Sequence, residues 1–117
     1  MIKVAVLGKI HNDGLKILKK NNFKIKQISN FSKKNLINQL SEVDAIAIRT
    51  TKLDKEILEK CKLLKIVARH GVGFDNVDLD YLNRKKIPLA ITGTANAITV
   101  AEHVMAMFLN LSKLLKI

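Results

Sequence analysis

KIVARHGVGFDN, Lys65–Asn76, joins a short Val/Ile run to a pair of glycines. The residues after those glycines decide what kind of sheet this chain builds and what the loop holds. Gly71-x-Gly73 opens like the dinucleotide fingerprint G-x-G-x-x-G, but Asn76 stands where the third glycine belongs. A pyrophosphate loop needs its helix to begin at once, so that the helix N-terminus meets the phosphates. Here the next helix signal is Asp78. The fingerprint also requires an acid some twenty positions on to hold the ribose, and the next apolar run, Pro88–Thr92, ends without one. The cofactor reading fails on these three counts. Two readings stay open. Gly71 and Gly73 make a plain turn, or the Val72 and Gly73 N–H groups form a concavity for a small anion. In the second reading Arg49, at the end of a neighbouring apolar run, supplies a fork for a carboxylate or phosphate.

Working outward, the run before the loop is one of five: Lys3–Leu7, Lys24–Ile28, Ala45–Arg49, Lys65–Arg69 and Pro88–Thr92. Their length and Val/Ile content predict strands. Lys24–Ile28 alternates as an edge strand does; the others read as strands buried on both faces. Helical segments lie between them. Gly14–Lys20 follows the first strand. Lys33–Leu40, Lys55–Cys61 and Leu79–Lys85 are each preceded by an N-cap residue (Ser32, Asp54, Asp78). Each also carries a staple pair: Phe31/Leu36, Leu53/Leu58 and Val77/Leu82. Strand–helix alternation predicts an α/β, flavodoxin-like fold: a parallel five-stranded sheet with helices on both faces. Ligands of such sheets bind outside the carboxyl ends of the strands.

The last segment differs. Thr99-Val100-Ala101-Glu102 reads as a capping box. Val100, Val104, Met107, Phe108, Leu111 and Leu115 then recur at near-helical spacing, predicting a long apolar C-terminal helix that runs to Ile117. The expected division is 1–98 for the sheet domain and 99–117 for this helix.

The 117 residues suffice for one core, with 48% hydrophobic and 26% charged residues. Cys61 is the only cysteine. No stretch is long and apolar enough for a bilayer, and no signal-like start is present, so the expected location is cytoplasmic. The charge of +11 is spread over every segment, and there is no Trp and one Tyr. The lysines read as solvated faces, with no specific nucleic-acid site and no membrane partner. One Cys and three separated His give no metal site.

The stretch LLKIVARHGVGFDNVDLDYLNRKKIPLAITGTANAITVAEHVMAMFLNLSK closely resembles the D-isomer-specific 2-hydroxyacid dehydrogenases, the phosphoglycerate dehydrogenases above all. The upstream DAIAIRTTKLDKEILEKCKLLK fits the segment that precedes the family's glycine loop. Residues 1–43 match in pattern only. The resemblance implies the substrate-binding (catalytic) domain of an NAD-dependent oxidoreductase acting on the CH–OH group of a small 2-hydroxy acid of the 3-phosphoglycerate kind. It implies that Gly71, Val72 and Gly73 hold the acid, that Val72 also borders the nicotinamide, that Arg49 binds the acid or its phosphate, and that Asn96 lies at a domain hinge as a substrate-binding residue facing acid and nicotinamide. Gly93-Thr94 stands where many members have Thr-Pro, and His70 where a small residue is common. The family's cofactor loop and catalytic Arg, Glu and His belong to a later domain, so no catalytic residue is expected in this chain and it is expected to be inactive alone. Its expected partners are the 2-hydroxy or 2-keto acid and either a separate nucleotide-binding chain or a second copy docked through the terminal helix. The alternative is a non-catalytic flavodoxin-like module that binds an anion or a protein.

Overall fold

The computed structural model describes residues 1–114; the expectations for Leu115 and for a helix reaching Ile117 lie outside them. Five parallel strands form one sheet in the order β2-β1-β3-β4-β5, the flavodoxin-like doubly wound order. The strands are β1 (Lys3–Leu7), β2 (Lys24–Ile28), β3 (Ala45–Ile48), β4 (Ile66–Arg69) and β5 (Leu89–Ile91). The helices are α1 (Asn12–Lys20), α2 (Lys33–Leu40), α3 (Lys55–Lys60), α4 (Leu79–Arg84) and α5 (Ala97–Lys113). Among the described residues no helix is long and apolar enough to cross a membrane.

Right-handed crossovers divide the helices. The step from β1 to β2 runs one way across the sheet and puts α1 on one face. The next three steps run the other way and put α2, α3 and α4 on the opposite face. Under those three lies the core. Leu36, Leu40, Ile57, Leu58 and Leu82 meet Ala5, Leu7, Ile46, Ile48 and Val67, all buried. Asp54 and Asp78 cap α3 and α4 as expected, accepting the Ile57 and Tyr81 N–H at 3.1 and 2.9 Å.

Three local expectations are corrected. Ser32 precedes α2 without a side-chain cap bond; its N–H instead bonds Asn30 Oδ1, and Phe31, the expected staple residue, is exposed. The first helix begins earlier, at Asn12, because His11 Nδ1 accepts the Asp13 N–H at 3.3 Å. Likewise α5 starts at Ala97, two residues before Thr99, so the Thr99/Glu102 capping box does not form; Asn96 is the cap and makes no side-chain bond. The helix then ends at Lys113, where Leu114 turns left-handed at φ 52°.

The largest difference concerns burial. Only β1 is closed on both faces. On the α1 side Val4 and Val6 are buried, but their register neighbours Ala45 and Ala47 are half-buried, and Ile66, Ala68 and Ala90 are exposed. Among the described residues no helix covers β3, β4 and β5 there.

Candidate functional site

The carboxyl ends of β3, β4 and β5 meet at one rim. β3 ends at Ile48, so Arg49 sits in the bend just beyond it and is exposed. β4 ends at Arg69 and leads into Gly71–Gly73. The His70 N–H bonds the Ile48 carbonyl at 2.7 Å, and the Thr92 N–H bonds the Gly71 carbonyl at 3.0 Å. These two bonds hold the glycine loop between the ends of β3 and β5.

Asn76, the residue that breaks the fingerprint, has a structural task. Its Nδ2 donates to the Thr51 carbonyl at 2.8 Å and reaches the Arg49 carbonyl at 3.5 Å. Its own carbonyl accepts the Leu53 N–H at 2.8 Å, and the Asp78 N–H bonds back to Leu53 at 3.0 Å. Leu53 and Val77 thereby form an isolated parallel bridge beyond the sheet. A glycine at position 76 lacks the amide that ties the loop to the segment carrying Arg49.

Gly71 is required by contact. Its φ is +152°, and a Cβ there would lie 1.5 Å from Arg69 Nη1, so the Arg69 guanidinium occupies the space a side chain would fill. Around Gly73 the space is open: a Cβ there would have nothing within 4 Å, and its backbone makes no such demand. Val72 and Gly73 are exposed, and among the described residues no backbone or side-chain acceptor engages either N–H. Such free amides on a tight loop are donors for an anion.

Arg69 is the functional candidate that sequence reasoning missed. Its Nε is buried without a hydrogen-bond partner, and among the described residues neither Arg69 nor Arg49 has an ion-pair partner. The available signal was strand parity: Arg69 follows Val67 by two at a strand's carboxyl end, next to the segment that ends in Arg49. A hollow of about 330 Å³ opens on this rim beside His11, Arg69, His70 and Thr92. A larger one, about 540 Å³, lies at the opposite ends of the strands near Lys3, Lys26 and Glu42; it shares nothing with the rim and sits where ligands of such sheets do not bind.

The structure thus joins Arg49 to the Gly71–Gly73 loop through Asn76. It joins Asn96 only through the turn that follows Thr92, and among the described residues no direct bond links Asn96 to the loop. Cys61 is buried, donates to the Ile57 carbonyl at 3.3 Å, and has its thiol pushed up to about 11 by burial, which makes it a poor nucleophile. Among the described residues no cluster of His, Cys, Asp and Glu is arranged to hold a metal. The rim brings the unengaged Val72 and Gly73 amides together with the Arg69 guanidinium, groups suited to an anion.

The sequence model of the family described as D-isomer specific 2-hydroxyacid dehydrogenase, catalytic domain, matches residues 4–110. A D-3-phosphoglycerate dehydrogenase of Archaeoglobus fulgidus is 32% identical over 109 residues, which are 92% of this chain and 21% of that protein. A Pyrococcus horikoshii crystal structure superposes with a TM-score of 0.85 at 29% identity, over 95% of this chain and 33% of that one. The NAD+-bound 3-phosphoglycerate dehydrogenase of Entamoeba histolytica superposes at 0.77 and 27% identity, over 93% of this chain and 38% of that one. The chain therefore spans a fifth to about two fifths of the length of these proteins.

Proposed function

Because this chain belongs to the D-isomer-specific 2-hydroxyacid dehydrogenase family, we propose that it is the acid-binding part of an NAD-dependent oxidoreductase acting on a 2-hydroxy acid of the 3-phosphoglycerate kind. Residues 1–98 form the acid-binding unit. The division expected at residue 99 separates this unit from the segment, most of α5 included, that leads toward a nucleotide-binding domain. The Val72 and Gly73 N–H groups take the carboxylate, Gly71 keeps the loop open, and Arg49 with Arg69 takes the far anionic end. Asn96 stands at the hinge, and Val72 borders the nicotinamide. When bound, the nicotinamide supplies the hydride chemistry; this chain's residues bind and orient the acid, which is where much of the barrier reduction arises. A cytoplasmic location goes with this reading.

The observation that carries the proposal is the pair of unengaged amides at Val72 and Gly73 on a loop whose Gly71 lies against the Arg69 guanidinium, with neither Arg69 nor Arg49 in an ion pair among the described residues. The test is an NMR titration of the chain with 3-phosphoglycerate. The Val72 and Gly73 amide signals are expected to shift together. Arg49→Gln and Arg69→Gln are each expected to weaken binding roughly tenfold, about 1.4 kcal/mol. Signals that stay fixed at millimolar acid would overturn the assignment. Adding NADH and a 2-keto acid should give no turnover; enzyme-like rates would mean that the acid-base machinery lies within this chain.

A further inference from the structure

Two stretches of chain run side by side at the rim and are joined at both ends. At one end the His70 N–H bonds the Ile48 carbonyl at 2.7 Å. At the other, Leu53 and Val77 form the isolated bridge, closed by the Asn76 carbonyl and the Asp78 N–H. Between these joints the stretches part. One carries Arg49–Lys52 and the other Gly71–Asn76.

The two are unequally supported. The glycine loop has anchors of its own. The Thr92 N–H bonds the Gly71 carbonyl at 3.0 Å, the Val77 N–H bonds the Phe74 carbonyl at 3.1 Å, and the Arg69 guanidinium lies against Gly71. Arg49–Lys52 has a single brace. Among the described residues, the only hydrogen bonds that reach its backbone come from Asn76 Nδ2, 2.8 Å to the Thr51 carbonyl and 3.5 Å to the Arg49 carbonyl. A carboxamide nitrogen has two N–H donors, so one group can serve both carbonyls; a carboxylate in its place would offer acceptors only. Arg49, Thr50 and Lys52 are exposed, so packing adds little to that brace.

We propose that Asn76 is a positioning residue that sets the separation between Arg49 and the Val72–Gly73 amides, and so selects acids with a second anionic end. This rests on the acid-binding reading of Val72, Gly73 and Arg49 given above. A guanidinium takes a carboxylate or phosphate through a rigid fork, which pairs well only at a matched distance and angle. Between the two joints, the backbone that carries Arg49 is held to the amide loop through Asn76 alone. An acid with one anionic end uses the amides and does not read the spacing. An acid with a carboxylate at one end and a phosphate at the other does.

Parallel NMR titrations with 3-phosphoglycerate and with glycerate, which lacks the phosphate, test this. Asn76→Ala is expected to weaken 3-phosphoglycerate about tenfold and glycerate by less than about twofold. Val72 and Gly73 should remain the amides that shift. In the Asn76→Ala background, Arg49→Gln should add less than about twofold to the loss, because both changes remove one contact. Circular dichroism checks the fold. Asn76→Ser keeps a hydroxyl donor and replaces Asn76→Ala if the latter unfolds; its loss should again fall on 3-phosphoglycerate alone. Equal weakening of both acids would make Asn76 a builder of the loop and overturn the proposal. So would unchanged binding of both, or full and independent losses from Asn76→Ala and Arg49→Gln. Amides of the unaltered chain that ignore both acids would remove the acid-binding reading itself, and this proposal with it.

Discussion

On one face of the sheet, β3 and β4 present Ile46, Ile48 and Val67 to α2, α3 and α4 and keep them dry. On the other, the same two strands present Ala45, Ala47, Ile66 and Ala68 to a hollow. Both sets come from runs that look uniformly apolar in sequence. Alternation separates them by size: the branched side chains fall mostly on the covered face and the alanines on the open one. An unbroken apolar run therefore does not by itself mean burial on both sides. Side-chain volume at each parity says which face has its helices.

The sharpest way to test this contrast is to remove the same kind of mass from each face. Leu82→Ala, at a fully buried position, is expected to cost about 2–5 kcal/mol in chemical denaturation. Gly71→Ala acts at the rim between the faces. It must displace the Arg69 guanidinium and hold alanine at φ +152°, so a loss of about 1–3 kcal/mol together with weaker acid binding is expected; Gly73→Ala, with open space around it, should be close to neutral in stability. Asp54→Ala removes the α3 cap on the covered side and should cost about 0.5–2 kcal/mol.

That same carboxyl carries a pH signature. The hydrogen bond from Lys33, and then the Ile57 N–H, hold Asp54 below its ordinary 3.8. The Lys3 N–H, and then Lys65, do the same for Asp44. Both are lowered in the folded state, so their contribution is complete above pH 3.8 and is lost as pH falls below it. Asp54→Asn should flatten part of that acid limb in denaturation series run at successive pH values. The smallest effect belongs to the open face: Ile66→Ala should cost under about 1 kcal/mol in dilute monomer, because much of that side chain already meets water. A cost equal to that of Leu82→Ala would erase the contrast and show the flank covered in solution.

Most of the architecture was legible because its determinants are local. The strands and the Asp54 and Asp78 caps depend on residues a few positions apart, and each was placed within one or two residues. The features that escaped depended on other kinds of contact. His11 starts a helix through its ring nitrogen, which no standard cap preference signals. Asn30 takes the Ser32 N–H, so the turn before α2 is built by a side chain two residues upstream of the expected cap. The role of Asn76 needs the carbonyl of Thr51, 25 residues away. Gly71 could be read as a glycine loop from sequence, but the reason for that glycine is Arg69's side chain, which only three dimensions reveal. The openness of one flank escaped because the runs were read as uniformly apolar, without weighing side-chain size at each parity.

The bridge between Leu53 and Val77 couples events at the rim to the helices behind it. Each bridge residue immediately precedes a cap, Asp54 for α3 and Asp78 for α4. A molecule settling on the Val72–Gly73 amides therefore stiffens a unit that includes the first turns of two helices. Slower amide exchange at Leu53 and Asp78, far from any contact with the bound acid, would be its distant echo.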